Sequence, residues 1–505
     1  MNRLTLTIYL FLLVVLGSCS ATKKNYTPYK KYSRQKLQQD FTLLRNILEK
    51  KHPSLYWYTS KDSMDMYFDR YYNAIEDSMT EQQFGWKIIA PLTDKIHCGH
   101  TSFGMSKAYN KWVNNRIIPS FPLFLKVWND TMVITGNLNR KDSVLKRGMF
   151  ITAINGLSTT ALTEKMFTYM TEDGNANNVN YLRLSNNFPY YHRNIFGLTR
   201  EYTVTYLDAN NQQQTIKVPL FDPPRDTSKR PKNIPPPPPF SKKERRQQMM
   251  ANTRSLAVDT ANNTAVITLN TFATGKLRKF FRQTFRYIKK TGIKDVVLDI
   301  RSNGGGKINL STLLTKYVTR RPFKVADSSF AVARSLHPYS KYIKERFINN
   351  LGLIFLTHKK KDGMYHFGMW ERKLYHAKHH NHFDGDLYVL INGQTFSASA
   401  LFCNAVKGQP GIKIIGEEAG GGWYGNSGIM IPDITLPNTH LRVRLPLFRL
   451  VQYHHVAKDG RGVMPDIYIG TSYDALIKGY DKKMQVVMDM IKGKKAGNSP
   501  TGTTN

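Results

Sequence analysis

Residues 387–407 read Leu-Tyr-Val-Leu-Ile-Asn-Gly-Gln-Thr-Phe-Ser-Ala-Ser-Ala-Leu-Phe-Cys-Asn-Ala-Val-Lys. The apolar start predicts a buried strand, and Gly393 predicts the turn that ends it. The turn delivers Ser397 and Ser399 at the start of a helix. A serine there has two interpretations. It caps the helix, or it is a nucleophile. In the second case the free N–H groups of the first helical turn face the oxyanion that develops on the attacked carbonyl group.

A second stretch predicts the same architecture earlier in the chain. Residues 296–306 read Val-Val-Leu-Asp-Ile-Arg-Ser-Asn-Gly-Gly-Gly, a buried strand that ends in a glycine cluster. Consecutive glycines let the backbone approach a ligand and turn its amides inward. Strands and helices also alternate across residues 264–300, which favours an α/β domain with a largely parallel core.

Together the two stretches resemble the carboxy-terminal processing (tail-specific) proteases and their tricorn-like relatives, serine peptidase family forty-one. The motif Thr395-Phe-Ser-Ala-Ser399 matches the family's nucleophile turn and puts the nucleophile at Ser397. The resemblance implies a ClpP/crotonase-like α/β catalytic core, α+β overall, with a helical cap and a PDZ-like domain. It also implies that Gly304 or Gly305, together with Ala398, donates backbone N–H groups to the oxyanion.

The general base departs from that of the processing proteases. Their lysine lies about two dozen residues beyond the serine, where this chain reads Gly416-Glu-Glu-Ala-Gly-Gly-Gly-Trp-Tyr-Gly425 without a lysine. Tricorn-like members carry a histidine before a small hydroxyl residue, and the match in residues 92–103 is His100. Imidazole titrates near neutral pH and can accept the serine proton. His97 is the competing candidate.

An acidic group is expected to hold the base. Asp459, in Lys458-Asp-Gly-Arg-Gly-Val-Met-Pro-Asp466, stands where tricorn-like enzymes carry an acidic residue. Asp466 is expected to order the turn before the last strand. His454 and His455 lie close in sequence and stay open as alternative bases.

The N-terminus resembles a bacterial lipoprotein signal peptide. Arg3 precedes an apolar run from about Leu6 to Leu16, and Leu16-Gly-Ser-Cys19 resembles a lipobox. This predicts cleavage before Cys19, lipid on its sulfur and a mature protein in the cell envelope, facing the periplasm or the surface. The remaining cysteines, Cys98 and Cys403, are read as two buried thiols or a disulfide.

The composition and net charge of the chain indicate which kinds of binding partner to expect. The chain has 505 residues, 41% of them hydrophobic, and a net charge of +37. Such a charge could attract nucleic acid, but an exported lipoprotein rarely meets it, so an anionic membrane surface is the expected partner besides a protein or peptide substrate. The histidines of residues 376–382 lack cysteine or ordered carboxylate partners, so we expect neither metal nor cofactor.

The domain organisation follows from changes along the chain. The Ile154-Asn-Gly156 hairpin resembles a PDZ segment, and Pro235–Pro239 marks a stiff insertion. The predicted parts are the signal peptide 1–18, tether 19–32, helical domain 33–113, PDZ-like domain 114–221, basic linker 222–250, catalytic domain 251–475 with insertion 322–383, and C-terminal helix and tail 476–505.

The sequence therefore predicts a lipid-anchored serine peptidase of the endopeptidase or tail-specific type, in which Ser397 attacks and His100 takes its proton. Two alternatives stay open: an inactive binding protein on a peptidase scaffold, and a hydrolase of a non-peptide acyl bond. Nothing in the sequence fixes the oligomeric state.

Overall fold

A computed structural model of the chain describes residues 26–114, 116–223, 240–453 and 456–497. The predictions for Cys19, Pro235–Pro239, His454 and His455 lie outside these residues. None of the helices within the described ranges is long and apolar enough to cross a membrane.

The N-terminal part is helical, as predicted. Its first helix buries Leu37, Phe41, Leu44 and Ile47 on one face, which is the stripe expected from the 3.6-residue period. The capping box predicted at Thr80 is present, because its hydroxyl accepts from Gln83 N–H and Gln83 Oε1 accepts in return. The elements are β1 (Lys31–Tyr32), α1 (Arg34–Lys51), α2 (Lys61–Asn73), β2 (Met79–Thr80), α3 (Glu81–Phe84), a π-helical turn (Gly85–Ile89), α4 (Ala90–Asp94), β3 (Phe103–Gly104) and α5 (Lys107–Asn114).

The next part is a β-rich unit with two helices. Its sheet has the order β4-β5-β6-β8-β9, and an isolated bridge from Ser120 to Phe221 joins its two ends, consistent with the expected small barrel. The stretch between Thr159 and Leu198, too long for a compact PDZ domain, forms both helices. The elements are β4 (Leu123–Trp128), β5 (Thr131–Asn137), β6 (Phe150–Ile154), β7 (Leu157–Ser158), α6 (Thr159–Phe167), α7 (Asn178–Phe196), β8 (Glu201–Leu207) and β9 (Gln213–Pro219).

The predicted linker 222–250 is wrong at its C-terminal end. Ser241 and Glu244 form a capping box, and a helix follows that leads into the first strand of the α/β domain. The elements from here to the insertion are α8 (Lys242–Thr253), β10 (Arg254–Asp259), β11 (Thr264–Leu269), α9 (Leu277–Thr291), β12 (Asp295–Asp299) and α10 (Ile308–Val318).

The predicted insertion and the end of the chain complete the fold. The insertion supplies three strands to a second sheet, of order β14-β15-β13-β21-β18, and one exposed helix. The elements are β13 (Ser328–Ala331), a 3₁₀ turn (Ser340–Tyr342), α11 (Arg346–Leu356), β14 (His358–Lys359), β15 (Tyr365–His366), α12 (Gly368–Arg372), β16 (Asp386–Ile391), α13 (Ala398–Val406), β17 (Ile412–Gly416), β18 (Gly425–Ile429), β19 (Asp433–Thr435), β20 (Arg442–Arg444), β21 (Phe448–Val451), β22 (Ile467–Tyr468), α14 (Tyr473–Lys478) and α15 (Lys482–Gly497).

The central sheet has the order β10-β11-β12-β16-β17-β22 and is parallel from β11 onward, as predicted. Both of its faces are covered, because α9, α10 and α13 pack on one side and α15 on the other. Parallel strands end at the same edge, so the loops after β12 and β16 meet there. These loops carry Asn303–Gly306 and Ser397.

Candidate active site

Ser397 lies in a strained turn between β16 and α13. Its φ of 56° and ψ of −121° belong to a region that L-residues rarely occupy. Two bonds hold the turn against the neighbouring loop: Phe396 N–H donates to the Asn303 carbonyl over 3.1 Å, and Thr395 Oγ1 donates to the Ile300 carbonyl over 3.1 Å. The backbone is therefore fixed in a conformation that presents the Ser397 side chain.

The structure separates the two serines of this turn. Ser397 is half-buried, and its hydroxyl makes no capping hydrogen bond to the helix, so the helix-cap interpretation does not describe it. Ser399 is fully buried. Only Ser397 is placed to meet a substrate.

His100 faces Ser397 across Gly428. A Cβ built on Gly428 would lie 2.8 Å from His100 Nε2 and 2.9 Å from Ser397 Oγ. The ring is 5% exposed and packs on Phe396 with centroids 4.8 Å apart. Neither ring nitrogen of His100 has a hydrogen-bond partner among the described residues. Such contacts often close only when substrate is bound.

The carboxylate beside His100 is Asp173, which corrects the prediction of Asp459. Asp173 Oδ1 lies 3.8 Å from His100 Nδ1. The same carboxylate accepts from Gly99 N–H over 2.8 Å and from Gly422 N–H over 3.3 Å, and it is 3% exposed. Asp459 instead accepts from Arg461 N–H within its own loop.

The sequence held one signal for Asp173. It follows Glu172 in the stretch that is too long for a PDZ domain, and this stretch folds back against the loop that carries His100. The length of the stretch marked it as unusual, but a carboxylate that is distant in sequence from both candidate residues leaves no spacing to recognise.

His97 contacts different groups. Its Nδ1 lies 2.9 Å from the Gly174 carbonyl and 3.4 Å from Glu172 Oε1. The hydrogen bond to Glu172 raises the pKa of His97 above its ordinary value, although burial opposes the shift. His97 is therefore engaged by the Glu172–Gly174 loop.

The glycine loop after β12 allows close approach to Ser397. Gly305 has a φ of 95°, and a Cβ there would lie 2.7 Å from Ser397 Cβ, so only glycine fits. The Gly305 N–H donates to Asn303 Oδ1 over 3.0 Å. This N–H is therefore not free to donate to an oxyanion, although Gly305 was one of the two glycines predicted to do so. Gly304 is exposed in the same loop, and Ala398 opens α13, where N–H groups lack acceptors inside the helix. Gly304 and Ala398 thus remain the candidate donors.

Gly421 lies 24 residues beyond Ser397, in the stretch that lacks the lysine, and neighbouring atoms pack closely around it. A Cβ on Gly421 would lie 2.7 Å from Ala400 Cβ and 3.0 Å from Ser397 N. The loop therefore packs directly on the Ser397 turn and leaves no room for a side chain at Gly421.

A buried polar network behind the site was missed by sequence reasoning. His52 Nε2 and Thr101 Oγ1 are 2.6 Å apart, and Ser54 N–H donates to His52 Nδ1 over 3.1 Å. Ser54 Oγ also lies 2.7 Å from Ser427 Oγ. Burial lowers the pKa of His52 to about 3, so its ring is neutral, with Nδ1 as acceptor and Nε2–H as donor. The network joins the end of α1 to the residues next to His100 and Gly428.

Neither remaining cysteine is in a disulfide. Cys98 and Cys403 are both free and buried. Burial raises the pKa of Cys98 to about 12 and also raises that of Cys403, so both stay protonated thiols at neutral pH.

Comparison with solved structures identifies proteins that share this fold. Mature CPAF complexed with lactacystin is 12% identical, with a TM-score of 0.60 over 91% of this chain and 99% of that one. A CPAF mutant is 11% identical, with a TM-score of 0.61 over 93% and 99%. A peptidase structure from Parabacteroides merdae is 13% identical, with a TM-score of 0.45 over 91% and 97%. The two CPAF structures share the fold along nearly the whole chain.

No curated protein matches the chain. The model of peptidase family S41 matches residues 263–469, the range that holds five of the six strands of the central sheet, the glycine loop and Ser397. The resemblance read from the sequence is thereby confirmed. Residues 263–469 therefore match peptidase family S41, and this match supports a serine-type peptidase.

Proposed function

We propose that the chain is a cell-envelope peptidase that cleaves peptide bonds within protein substrates through a Ser397–His100 pair. The observation that carries this proposal is the convergence of Ser397 Oγ and His100 Nε2 on Gly428. A nucleophile and a base that face one point need only a small movement to form the hydrogen bond required for proton transfer.

The reaction follows from the placement of the groups. Ser397 Oγ attacks the substrate carbonyl carbon as its proton passes to His100 Nε2. The resulting imidazolium is stabilised by Asp173, whose charge lies 3.8 Å from Nδ1. The oxyanion accepts from the N–H of Ala398 and that of Gly304. The leaving amine then takes the proton from His100, and water repeats the sequence to release the acyl group.

The envelope location is supported by the lipobox-like Leu16-Gly-Ser-Cys19 and by the net charge of +37, which favours an anionic surface. Mass spectrometry of the mature N-terminus tests it. A lipid-modified Cys19 is expected, and an unmodified cysteine would contradict the anchor. Peptidase activity does not depend on this outcome.

The test of the catalytic pair uses a fluorophosphonate probe and quenched fluorescent peptides. Ser397→Ala is expected to abolish labelling and cleavage, whereas Ser399→Ala, the matched control from the same turn, retains both. His100→Ala is expected to lower turnover by about a thousandfold. Labelling lost only in the Ser399 variant would move the nucleophile, and unchanged turnover in His100→Ala would exclude His100 as the base.

A further inference from the structure

Helix α11, Arg346–Leu356, exposes an unusually apolar face. Phe347, Ile348 and Phe355 are 72, 68 and 77% exposed, and Leu351 and Ile354 are 38 and 39% exposed. At 3.6 residues per turn these five side chains fall within a sector of about 120°. Large apolar patches on the surface of a protein mark interaction sites.

The opposite side of the helix fixes it to the body of the protein. Leu353 is 1% exposed, and Asn350 Oδ1 accepts from Leu336 N–H over 2.8 Å. Gly352 packs on Met430, because a Cβ there would lie 2.6 Å from Met430 Cε. The apolar face therefore points outward from a seated helix, as a ridge.

Basic residues stand at both ends of this ridge. Residues 341–362 contain six lysines or arginines and two acidic residues. Every one of the six is exposed: Lys341, Lys344, Arg346, Lys359, Lys360 and Lys361. Lys344 pairs with Glu345 over 3.1 Å, and Lys360 pairs with Glu371 over 2.6 Å. The other four cations have no carboxylate within 4.0 Å among the described residues, so they are free to meet an external anion.

We propose that α11 docks the protein onto an anionic lipid bilayer, with the apolar ridge in the interface and the basic ends on the headgroup phosphates. A helix that combines an apolar face with lysine and arginine binds membranes in this way. A second copy fits less well, because two-fold pairing would bring basic ends together. An unfolded polypeptide would need a groove, and the face is a ridge.

The inference goes beyond the proposed peptidase mechanism and depends on neither Ser397 nor His100. It has one consequence for that mechanism. Met430, which supports α11, lies two residues beyond Gly428, so docking would hold the catalytic groups near the membrane surface.

The test measures co-sedimentation with vesicles of phosphatidylglycerol and phosphatidylethanolamine, and with phosphatidylcholine vesicles. The chain is expressed from Ser20, which keeps every described residue and removes Cys19 and the apolar run before it. Salt at about 0.3 M screens general attraction to the basic surface. Phe347→Ser with Phe355→Ser is expected to lower partitioning into anionic vesicles by about tenfold or more.

A matched control changes two exposed apolar residues elsewhere. Ile117 and Phe240 are 66 and 59% exposed, and the double change to serine is expected to alter partitioning less than twofold. Fluorophosphonate labelling and thermal melts verify that each variant is folded. Lys359→Gln with Lys361→Gln is expected to weaken binding to anionic vesicles selectively.

Three outcomes would overturn the proposal. One is equal partitioning of the α11 variant and the wild type. Another is a wild-type dimer, measured by light scattering without vesicles, that the α11 variant alone disrupts. The third is an α11 variant that no longer binds a reduced, carboxymethylated protein, which serves as an unfolded polypeptide, but partitions into vesicles as the wild type does.

Discussion

Gly428→Ala is expected to separate Ser397 from His100 without unfolding the protein. The new methyl carbon would lie 2.8 Å from His100 Nε2 and 2.9 Å from both Ser397 Oγ and Asn426 Oδ1. Each polar atom would have to retreat by roughly half an ångström to reach ordinary contact. The methyl group would also occupy the space through which the proton passes.

The magnitude follows from the groups displaced. General base catalysis contributes about 10²- to 10⁴-fold, and misplacement by about 1 Å costs about 10²-fold. We therefore expect kcat/KM to fall by about a thousandfold, which corresponds to about 4 kcal/mol of transition-state stabilisation. Stability should change by only about 1 kcal/mol, because Gly428 does not have a positive φ and its neighbours are side-chain ends.

The assay combines peptide cleavage with thermal unfolding. Gly136→Ala is a suitable control, since its Cβ would lie 3.6 Å from Phe124 in ordinary contact. Cleavage by Gly428→Ala within tenfold of wild type would refute the argument that Ser397 and His100 act through this space. A collapse in thermal stability would show that Gly428 is needed for folding instead.

Other variants test the supporting groups. Asp173→Asn should lower kcat by about 10²- to 10⁴-fold, whereas Asp459→Asn should leave it within a few-fold; the reverse order in steady-state kinetics would restore Asp459. His52→Ala should lower kcat more than it raises KM, because Thr101, which lies beside His100, loses its hydrogen-bond partner. A loss of protein stability without any change in kcat would show that the network has a structural role only. Burial lowers the pKa of His192 to about 4, so the unfolded chain binds more protons between about pH 6.5 and 4, and stability falls as the pH drops through that window. His192→Phe should flatten this part of the profile of urea midpoint against pH, and an unchanged slope would contradict a neutral buried ring.

Local patterns were sufficient to predict much of the fold. The apolar stripe of α1, the capping box at Thr80 and the strand–turn–helix around Ser397 each depend on residues close in sequence, and the structure contains all three. The helix Lys242–Thr253 was missed because its high charge resembles a solvated linker, although Ser241 and Glu244 carried the capping signal.

The candidate site was harder to predict where it depends on distant contacts. Ser397 was suggested by its own turn, and His100 by a motif. Asp173 and His52 reach the site through tertiary packing, from segments whose local sequence predicts only a loop and a helix end. Burial decides which of Ser397 and Ser399 is the candidate nucleophile, because Ser399 is fully buried. Burial depends on the assembled fold and cannot be predicted from the spacing of the two serines.

The absence of a lysine at Gly421 has a structural reason in this chain. Gly421 packs so closely on Ala400 and the Ser397 backbone that a side chain at this position would displace the nucleophile turn. The proposed base, His100, lies on the other side of Ser397, across Gly428. The segment that ends in His100 is braced by His52 through Thr101 and faces Asp173. The N-terminal helices and the β-rich unit thus supply parts of the proposed catalytic group, so a domain cut at residue 251 would keep Ser397 and lose both His100 and Asp173.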